Sequence, residues 1–265
     1  MLIFNGELKH AHEVTLSDLE RGFFYGDGCF ETLRLHRGRL PLWPWHLKRL
    51  RESAVLLRLE LPDMFCEVKD LERLARLLVP EAAYDARLRL SLWRAYGSGR
   101  KPRGSAAHWM LEFRGKAPPF FESRTLTQEI VPLTGPWPHH KWLGEGRYVR
   151  SLPESSKDEV LFADAEGCLV EGLQSNLWLV RDGQLWTPAL ESGGIQGVWR
   201  RAVLDLKKHW PFVVRESRVP AEWWTKETPV MMSNGLRGFF PLAGYPFPKE
   251  WAECVHEVVW NLEGS

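Results

Sequence analysis

A lysine among aromatic residues is the side chain of this sequence best suited to covalent chemistry. Lys141 lies in the run 136–143 (PWPHHKWL), with Trp137, Trp142 and Leu143 close to it. Apolar neighbours that exclude water make a lysine amine a better nucleophile toward a carbonyl carbon. Taken alone, the pattern is also typical of an ordinary surface lysine, so the amine is a candidate that needs further support.

Two other segments carry groups that could bind anions. Residues 191–200 (ESGGIQGVWR) join a predicted strand to a predicted helix, where a glycine-rich turn can aim backbone amides at a phosphate. A plain turn is the alternative, and no Gly-Lys-Ser/Thr ends the segment as in a nucleotide P-loop. Residues 94–104 (RAYGSGRKPRG) are basic. There Arg94, Arg100 or Arg103 could bind a carboxylate through paired hydrogen bonds, and a solvated loop is the alternative.

Composition excludes several classes of partner. Hydrophobic residues make up 44% and charged residues 26% of the chain, and the formal net charge is +1. We therefore expect no nucleic acid and no membrane as partner. The neighbours His139 and His140 would point to opposite faces of a strand, which makes them a poor metal pair, so we expect no metal. The four cysteines form no CxxC pair, which fits thiols in a reducing cytoplasm: Cys29, Cys66, Cys168 and Cys254.

Four motifs in succession resemble those of one enzyme family. The first covers 21–34 (RGFFYGDGCFETLR) and is followed by 46–50 (HLKRL); the later ones are 171–177 (EGLQSNL), 194–200 (GIQGVWR) and 233–236 (SNGL). Together they resemble the class IV aminotransferases, the fold type IV pyridoxal phosphate enzymes, over nearly the whole chain. The resemblance implies a two-domain α+β fold with the active site in the interdomain cleft, and a homodimer.

The resemblance also implies roles toward pyridoxal 5'-phosphate. Lys141 is expected to be the Schiff-base lysine, which holds the cofactor as an aldimine and later moves the substrate's α-proton. Arg49 and the backbone amides of Val198 and Trp199 are expected to bind the phosphate. Glu171 is expected to keep the pyridine nitrogen protonated, so that the ring acts as an electron sink.

Further contacts are implied around the same cofactor. Tyr148 is expected near its phenolic oxygen, and Asn234 belongs to the last motif that we assign to cofactor binding. Phe30, Arg94 and Arg100 are expected on the substrate side.

The segment after the lysine departs from the family pattern. Residues 144–146 (GEG) replace the usual start of a helix, and the separation of Lys141 from Glu171 is a few residues shorter than in the family. Lys157 is the alternative Schiff-base candidate. Because Lys157 stands immediately before a predicted strand, where a solvated turn lysine is more natural, we retain Lys141.

The family resemblance leaves more than one reaction open. Residues 25–30 (YGDGCF), the compact length and the loop after Arg94 favour 4-amino-4-deoxychorismate lyase, which makes 4-aminobenzoate and pyruvate in folate synthesis. Residues 30–32 (FET) are shared with transaminases, so a branched-chain or D-amino acid transaminase is the alternative. A non-catalytic binding protein on the same fold is a third hypothesis.

The elements that must position these residues follow from the spacing of apolar side chains. Residues 2–4 and 7–8 form a predicted hairpin around Asn5-Gly6, and a second hairpin is predicted within 29–42. The linker 115–119 (GKAPP) predicts a smaller α/β domain over 1–117 and a larger cofactor-binding domain over 118–265. In the second domain, 159–163, 168–171 and 176–180 are predicted to form a meander. The other predicted segments are helices at 47–57, 67–78, 197–209 and 251–262, and strands at 87–92, 108–113, 185–187, 213–219 and 230–233.

Overall fold

Contacts within the chain divide it into two units. The computed structural model describes residues 1–80, 84–97, 101–132, 139–144 and 159–262. The first unit is formed by the described residues of 1–117 and 140–145, together with Leu262. The second unit is formed by the described residues of 118–139 and 146–261. The lysine segment therefore folds with the first unit, although it follows residues of the second in sequence.

The first unit contains one antiparallel sheet of five strands in the order β2-β1-β5-β4-β3. Asn5 and Gly6 adopt φ values of 49° and 92°, which confirms the predicted hairpin turn. β4 alternates as predicted, since Ala86, Leu88 and Leu90 are fully buried on one face. The strands are β1 (Leu2–Phe4), β2 (Glu7–Lys9), β3 (Gly28–His36), β4 (Asp85–Arg94) and β5 (Ala107–Lys116).

The helices of the first unit are α1 (Leu16–Tyr25), α2 (Trp43–Leu57) and α3 (Val68–Leu78). Pro44 stands in the first turn of α2, where its missing N–H costs no hydrogen bond. Of the predicted hairpin over 29–42, the turn at Arg37 and Gly38 is confirmed, since two hydrogen bonds join His36 to Arg39 across it. The second strand of the hairpin is wrong, because β3 pairs with β4 along its whole length and Arg39 forms only an isolated bridge. No helix was predicted at α1, which covers the start of the first motif.

The second unit contains two sheets. One has the order β11-β10-β9-β13-β14 and the other the order β12-β8-β7-β6. Their strands are β6 (Leu126–Pro132), β7 (Glu159–Ala163), β8 (Cys168–Gly172), β9 (Asn176–Arg181), β10 (Gln184–Pro188), β11 (Val213–Ser217), β12 (Val219–Pro220), β13 (Val230–Asn234) and β14 (Gly238–Phe240). The predicted meander is wrong, because β8 and β9 enter different sheets. Both strands are buried on both faces, so no polar and apolar alternation distinguishes the two arrangements.

Apolar side chains of both sheets form one core of the second unit. Leu161 and Leu169 from one sheet pack in the same cluster as Leu177, Met232 and Phe240 from the other. The helices are α4 (Val198–Asp205) and α5 (Lys249–Trp260). The predicted helix at 197–209 is thus shorter than expected, and a 3-10 turn follows it at Lys207–His209. No helix in the described part of the chain is long and apolar enough to cross a membrane.

Candidate functional site

Lys141 lies in a short segment that pairs with the beginning of β3. The Phe30 N–H donates to the Lys141 carbonyl at 2.9 Å, and the Leu143 N–H donates to the Gly28 carbonyl at 3.0 Å. The Lys141 Nζ lies 5.5 Å from the centroid of the Phe30 ring. The Phe30 ring and the Lys141 amine are therefore neighbours, and the place of Phe30 on the substrate side stays a prediction.

Two glycines of the first motif make room for the lysine segment. A Cβ on Gly26 would lie 2.8 Å from the Gly144 Cα. A Cβ on Gly28 would lie 2.7 Å from Leu143 Cδ1 and would collide with the Leu92 carbonyl oxygen. Such approaches are closer than packed atoms tolerate, so any larger residue at these two positions would push the segment away. Gly26, Gly28 and Gly144 thus allow the segment around Lys141 to pack closely against the first motif.

A buried carboxylate next to Phe30 connects β3 to α2. Glu31 receives paired hydrogen bonds from Arg49, with Nε 2.7 Å from Oε1 and Nη2 on Oε2. His46 Nδ1 lies 2.7 Å from the same Oε2. Burial raises the pKa of Glu31, but Arg49 and His46 outweigh burial and lower it to about 2. Glu31 is therefore ionised, and the predicted phosphate ligand Arg49 already has one anionic partner.

His46 is held as a neutral imidazole in this group. Burial lowers its pKa, with smaller contributions in the same direction from Arg49 and then Lys141, against the opposing effect of Glu31. Because Glu31 is ionised, Nδ1 carries the hydrogen and donates it. Nε2 is then a bare acceptor, and it is buried with no hydrogen-bond partner among the described residues.

α2 also holds the residue that precedes the lysine. The Ser53 hydroxyl donates to the Arg49 carbonyl at 2.8 Å and lies 2.8 Å from His140 Nδ1. Because a hydroxyl has one hydrogen, His140 Nδ1–H is the donor in the second bond. One helix therefore positions Arg49 and, through Ser53, the neighbour of Lys141.

Arg94 has a structural role that differs from its predicted one. Its guanidinium donates five hydrogen bonds, two to Asp27 and one each to the carbonyls of Leu57, Arg58 and Gly104. The five N–H groups of an arginine are thereby all used within the protein. We therefore withdraw the expectation that Arg94 binds a substrate carboxylate, and assign it to holding together the residue before β3, the end of α2 and the loop after β4.

In the second unit, Glu171 lies near the end of β8, and its carboxylate is bound by the glycine-rich loop and by β9. The Ile195 N–H lies 3.0 Å from each carboxylate oxygen, and Asn176 Nδ2 lies 3.3 Å from Oε2. Asn176 Nδ2 also donates to the Ile195 carbonyl at 2.8 Å. A Cβ on Gly194 would approach the Glu171 carboxyl carbon to 3.4 Å, so the glycine-rich loop lies directly against this carboxylate.

The same loop leads into α4, whose first residues are Val198 and Trp199. The first N–H groups of a helix have no partner within it and can bind an anion. The side chain of Trp199 is fully buried and packs on Phe239 and Trp260, with ring centroids 5.7 Å and 5.2 Å away. Trp199 can therefore offer only its backbone amide to a phosphate.

Of the remaining residues that the family resemblance predicts to contact cofactor or substrate, the structure describes only Asn234. Asn234 accepts from the N–H groups of Leu236 and Arg237 at 3.0 Å and donates to the Gln174 carbonyl at 3.2 Å. Its side chain therefore holds two turns in this structure. The other residues lie outside the described part of the chain: Tyr148, Arg100, Trp137 and the alternative lysine Lys157.

Adjacent histidines are separated as predicted. His139 bonds the Gly194 carbonyl within the second unit at 2.8 Å, whereas His140 bonds Ser53 within the first. No group of three His, Cys, Asp or Glu residues that could hold a metal is found among the described residues.

Sequence reasoning gave no role to Glu31, His46, Ser53 or His140. A usable signal was present in α2, because His46, Arg49 and Ser53 recur at steps of three and four within a helix whose apolar residues share that spacing. Polar residues on a buried helix face need partners, and this pattern could have directed attention to Glu31.

This chain is similar to known proteins in both sequence and fold. The family model for class IV amino-transferases matches residues 28–245. An aminodeoxychorismate lyase from Bacillus subtilis (strain 168) is 27% identical over 91% of this chain and 85% of that protein. The 4-amino-4-deoxychorismate lyase structure from Pseudomonas aeruginosa has a TM-score of 0.74 at 24% identity, over 97% of this chain and 99% of that one.

A third relative was solved with a derivative of the cofactor. The T.th. branched-chain amino acid aminotransferase, in complex with N-(5'-phosphopyridoxyl)-L-glutamate, has a TM-score of 0.73 at 22% identity, over 97% of this chain and 92% of that one. The Pseudomonas aeruginosa lyase and the T.th. aminotransferase are fold type IV enzymes, and this chain has the same fold. The match of the family model over most of the chain shows that this protein belongs to the class IV aminotransferases, enzymes that use pyridoxal 5'-phosphate.

Proposed function

We propose that this enzyme is a 4-amino-4-deoxychorismate lyase. The observation that carries the choice of reaction is the likeness to the Bacillus subtilis lyase, which extends over 91% of this chain and 85% of that protein. The substrate would be a small amino compound with carboxylate groups, and the products 4-aminobenzoate and pyruvate.

The described residues fit pyridoxal 5'-phosphate. When bound, the cofactor supplies an aldehyde for the amine and an electron-withdrawing ring. Lys141 provides a primary amine whose main chain is fixed to β3. Glu171 provides a buried carboxylate already oriented by Ile195 and Asn176. The start of α4 provides backbone amides, and Gly194 keeps the space in front of Glu171 free of a side chain.

Each of these groups has one task in the proposed reaction. The Lys141 Nζ would hold the cofactor through its aldehyde and, when free of it, would take the proton from the substrate carbon that bears the amine. The cofactor would supply the electron-withdrawing ring that makes this proton acidic, and the overall reaction would convert 4-amino-4-deoxychorismate into 4-aminobenzoate and pyruvate. Glu171 would accept the hydrogen of the pyridine N–H and so keep that nitrogen cationic. The amides of Val198 and Trp199 would bind the phosphate, for which Arg49 is the candidate ligand of the first unit.

We further propose a homodimer in the cytoplasm. The dimer is what the family resemblance implies. The cytoplasmic location is supported by four free cysteines, which fit a reducing compartment.

The decisive experiment supplies 4-amino-4-deoxychorismate without any oxo acid. Release of 4-aminobenzoate and pyruvate in equal amounts supports the lyase. Turnover of amino acids only when an oxo acid is present would contradict it and support a branched-chain or D-amino acid transaminase. The transaminase alternative is favoured by residues 30–32 (FET), which resemble the corresponding motif of transaminases.

The first prediction concerns the amine. Wild-type protein should be yellow, and borohydride should fix the cofactor to Lys141, which mass spectrometry of the peptides identifies. Lys141→Ala should abolish the adduct, whereas Lys116→Ala should retain it because Lys116 is an exposed residue at the end of β5. A colourless protein that stays unlabelled when pyridoxal phosphate is added would support the non-catalytic alternative instead. Labelling at Lys157 would overturn the choice of lysine.

A further inference from the structure

A second buried carboxylate of the second unit has no task in the reaction described above. Glu159 is the first residue of β7 and only 1% exposed. Burial raises the pKa of Glu159 to about 7, although a hydrogen bond from Gln174 and the charges of Arg124 and Arg237 oppose burial. Ionisation of a buried carboxylate lowers the stability of the folded state, so a charge kept at this position indicates a role for it.

Glu159 lies against the turn that joins β8 to β9. Its Oε2 accepts the Gln174 N–H at 3.3 Å. A Cβ on Gly172 would lie 2.7 Å from the same Oε2, so this glycine lets the turn close over the carboxylate. The turn is closed by a hydrogen bond of 2.7 Å from the Gly172 N–H to the Ser175 carbonyl.

The other side of the Gln174 backbone is also held. Asn234, at the end of β13, donates from Nδ2 to the Gln174 carbonyl at 3.2 Å. The N–H and the C=O of this single turn residue are thus bound by side chains of two different strands. Removal of either side chain would leave one backbone group of the turn without that partner.

The turn carries on its two ends the residues that form the proposed pyridine site. Glu171 immediately precedes Gly172, and Asn176 immediately follows Ser175. Asn176 in turn bonds both Glu171 and the Ile195 carbonyl. β7 reinforces the link, because Phe162 is paired with Glu171 across the sheet.

We propose that Glu159 is a positioning residue for Glu171: its ionised carboxylate holds the 172–175 turn, and the turn holds Glu171 and Asn176 in register. The proposal rests on the proposed function in assigning the pyridine nitrogen to Glu171. Charge-assisted hydrogen bonds are stronger than neutral ones, so the turn is held more firmly above the pKa of Glu159 than below it.

Among the described residues, two arginines contribute charge near Glu159. Arg124 approaches from the segment before β6, and Arg237 from the turn between β13 and β14. Arg237 is itself paired with Glu122 at 2.8 Å. Since arginines keep their charge across the range of interest, Glu159 is the member of this group that titrates near neutral pH.

Amide hydrogen exchange in the full chain without cofactor tests the hold on the turn. In the wild type, protection of the 172–176 peptide should increase as pH rises through about 7, after correction for intrinsic exchange. In Glu159→Gln, exchange at pH 8 should be about five- to tenfold faster than in the wild type, and the increase of protection with pH should vanish, because the acceptor is neutral.

The control is Glu227→Gln, which changes an exposed carboxylate of the same unit. Equal protection in both variants, or a wild-type profile without a step, would overturn the proposal; the wild-type profile decides even if Glu159→Gln does not fold.

The loaded enzyme supplies a second readout. At pH 6 wild type and Glu159→Gln should have similar kcat, whereas at pH 8 the wild type should be several-fold faster, with KM for the substrate unchanged. A purely structural role would lower kcat equally at both pH values, and that result would contradict the positioning role. If the wild type binds no pyridoxal phosphate, the proposed function fails, while the exchange experiment still decides whether Glu159 holds the turn.

Discussion

At the scale of single residues, the most consequential feature is that the predicted phosphate ligand is half of a buried ion pair. Arg49 is 2% exposed and Glu31 is 1% exposed. Breaking a buried pair by removal of one partner leaves a charge without compensation, which costs more than the pair contributes. The effects of Arg49 on stability and on cofactor binding must therefore be separated by experiment.

Arg49→Ala should lower the free energy of unfolding by about 3–5 kcal/mol, because Glu31 then remains buried without its cationic partner. Adding Glu31→Gln should recover much of that loss, since the buried charge is gone. Cofactor affinity should stay low in the double variant if Arg49 binds the phosphate. Urea unfolding and titration with pyridoxal phosphate measure the two quantities. Wild-type cofactor affinity in the double variant would refute the phosphate role.

Residue types alone led to a wrong expectation for Arg94, whereas the roles of Lys141 and Glu171 stay predictions. The motifs specify which residues stand at a position, and local backbone pairing then places them. Whether an arginine is available depends on acceptors that are distant in sequence: Asp27 precedes Arg94 by 67 residues. Nothing in the basic loop indicates that this guanidinium is already occupied.

At the scale of elements, α2 is the part of the first unit that connects the site. It carries Arg49 on one turn and, one turn later, Ser53, which binds His140. The position of Lys141 thus depends on pairing with β3 and on this side-chain bond to α2.

Ser53→Ala should leave His140 Nδ1–H without its acceptor and cost about 1–3 kcal/mol, the penalty for an unsatisfied buried donor. The labelling of Lys141 by pyridoxal phosphate and borohydride should also become slower, because the neighbouring residue is no longer fixed. The matched control is Ser105→Ala, which removes an exposed hydroxyl bound to Glu60. Unchanged labelling in a destabilised Ser53→Ala protein would show that the bond supports the fold without positioning the amine.

Elements whose apolar residues recur with a clear period could be predicted from the sequence, and elements without such a period could not. β4 alternates between buried leucines and arginines, so its strand and its inner face follow from the sequence. β8 and β9 are apolar on both faces, and the sheet to which each belongs depends on partners elsewhere in the chain. In the segment 39–42 only Arg39 pairs, with His36, and no strand follows it because helix α2 begins immediately after the segment.

At the scale of the whole molecule, the ionisable groups link stability to pH with opposite signs. The pKa of Glu31 is lowered to about 2, so its contribution is present above about 4.5 and is lost as pH falls toward 2. The pKa values of His36 and His46 are lowered chiefly by burial, so the stability they contribute is lost as pH falls below about 6.5. The pKa of Glu159 is raised to about 7, so the stability linked to its neutral form is lost as pH rises from about 4.5 through about 7.

Because these groups titrate in overlapping ranges, the effect of Glu159 is isolated by the difference between Glu159→Gln and wild type. Below pH 4.5 the wild-type side chain is neutral in both the folded and unfolded states, so the substitution removes no charge. Above pH 7 the wild type must keep a buried carboxylate ionised, a penalty of roughly 3 kcal/mol for the shift of its pKa from 4.5 to about 7.

The free energy of unfolding of Glu159→Gln should therefore rise relative to that of the wild type by roughly 3 kcal/mol between pH 4.5 and pH 8, measured by urea unfolding at each pH. The control is Glu227→Gln, which changes an exposed carboxylate of the same unit. A gain in stability of Glu159→Gln, accompanied by a lower kcat at pH 8, would mean that the wild type retains a destabilising charge because Glu171 needs it. A stability difference between Glu159→Gln and wild type that does not depend on pH would contradict the ionisation of Glu159.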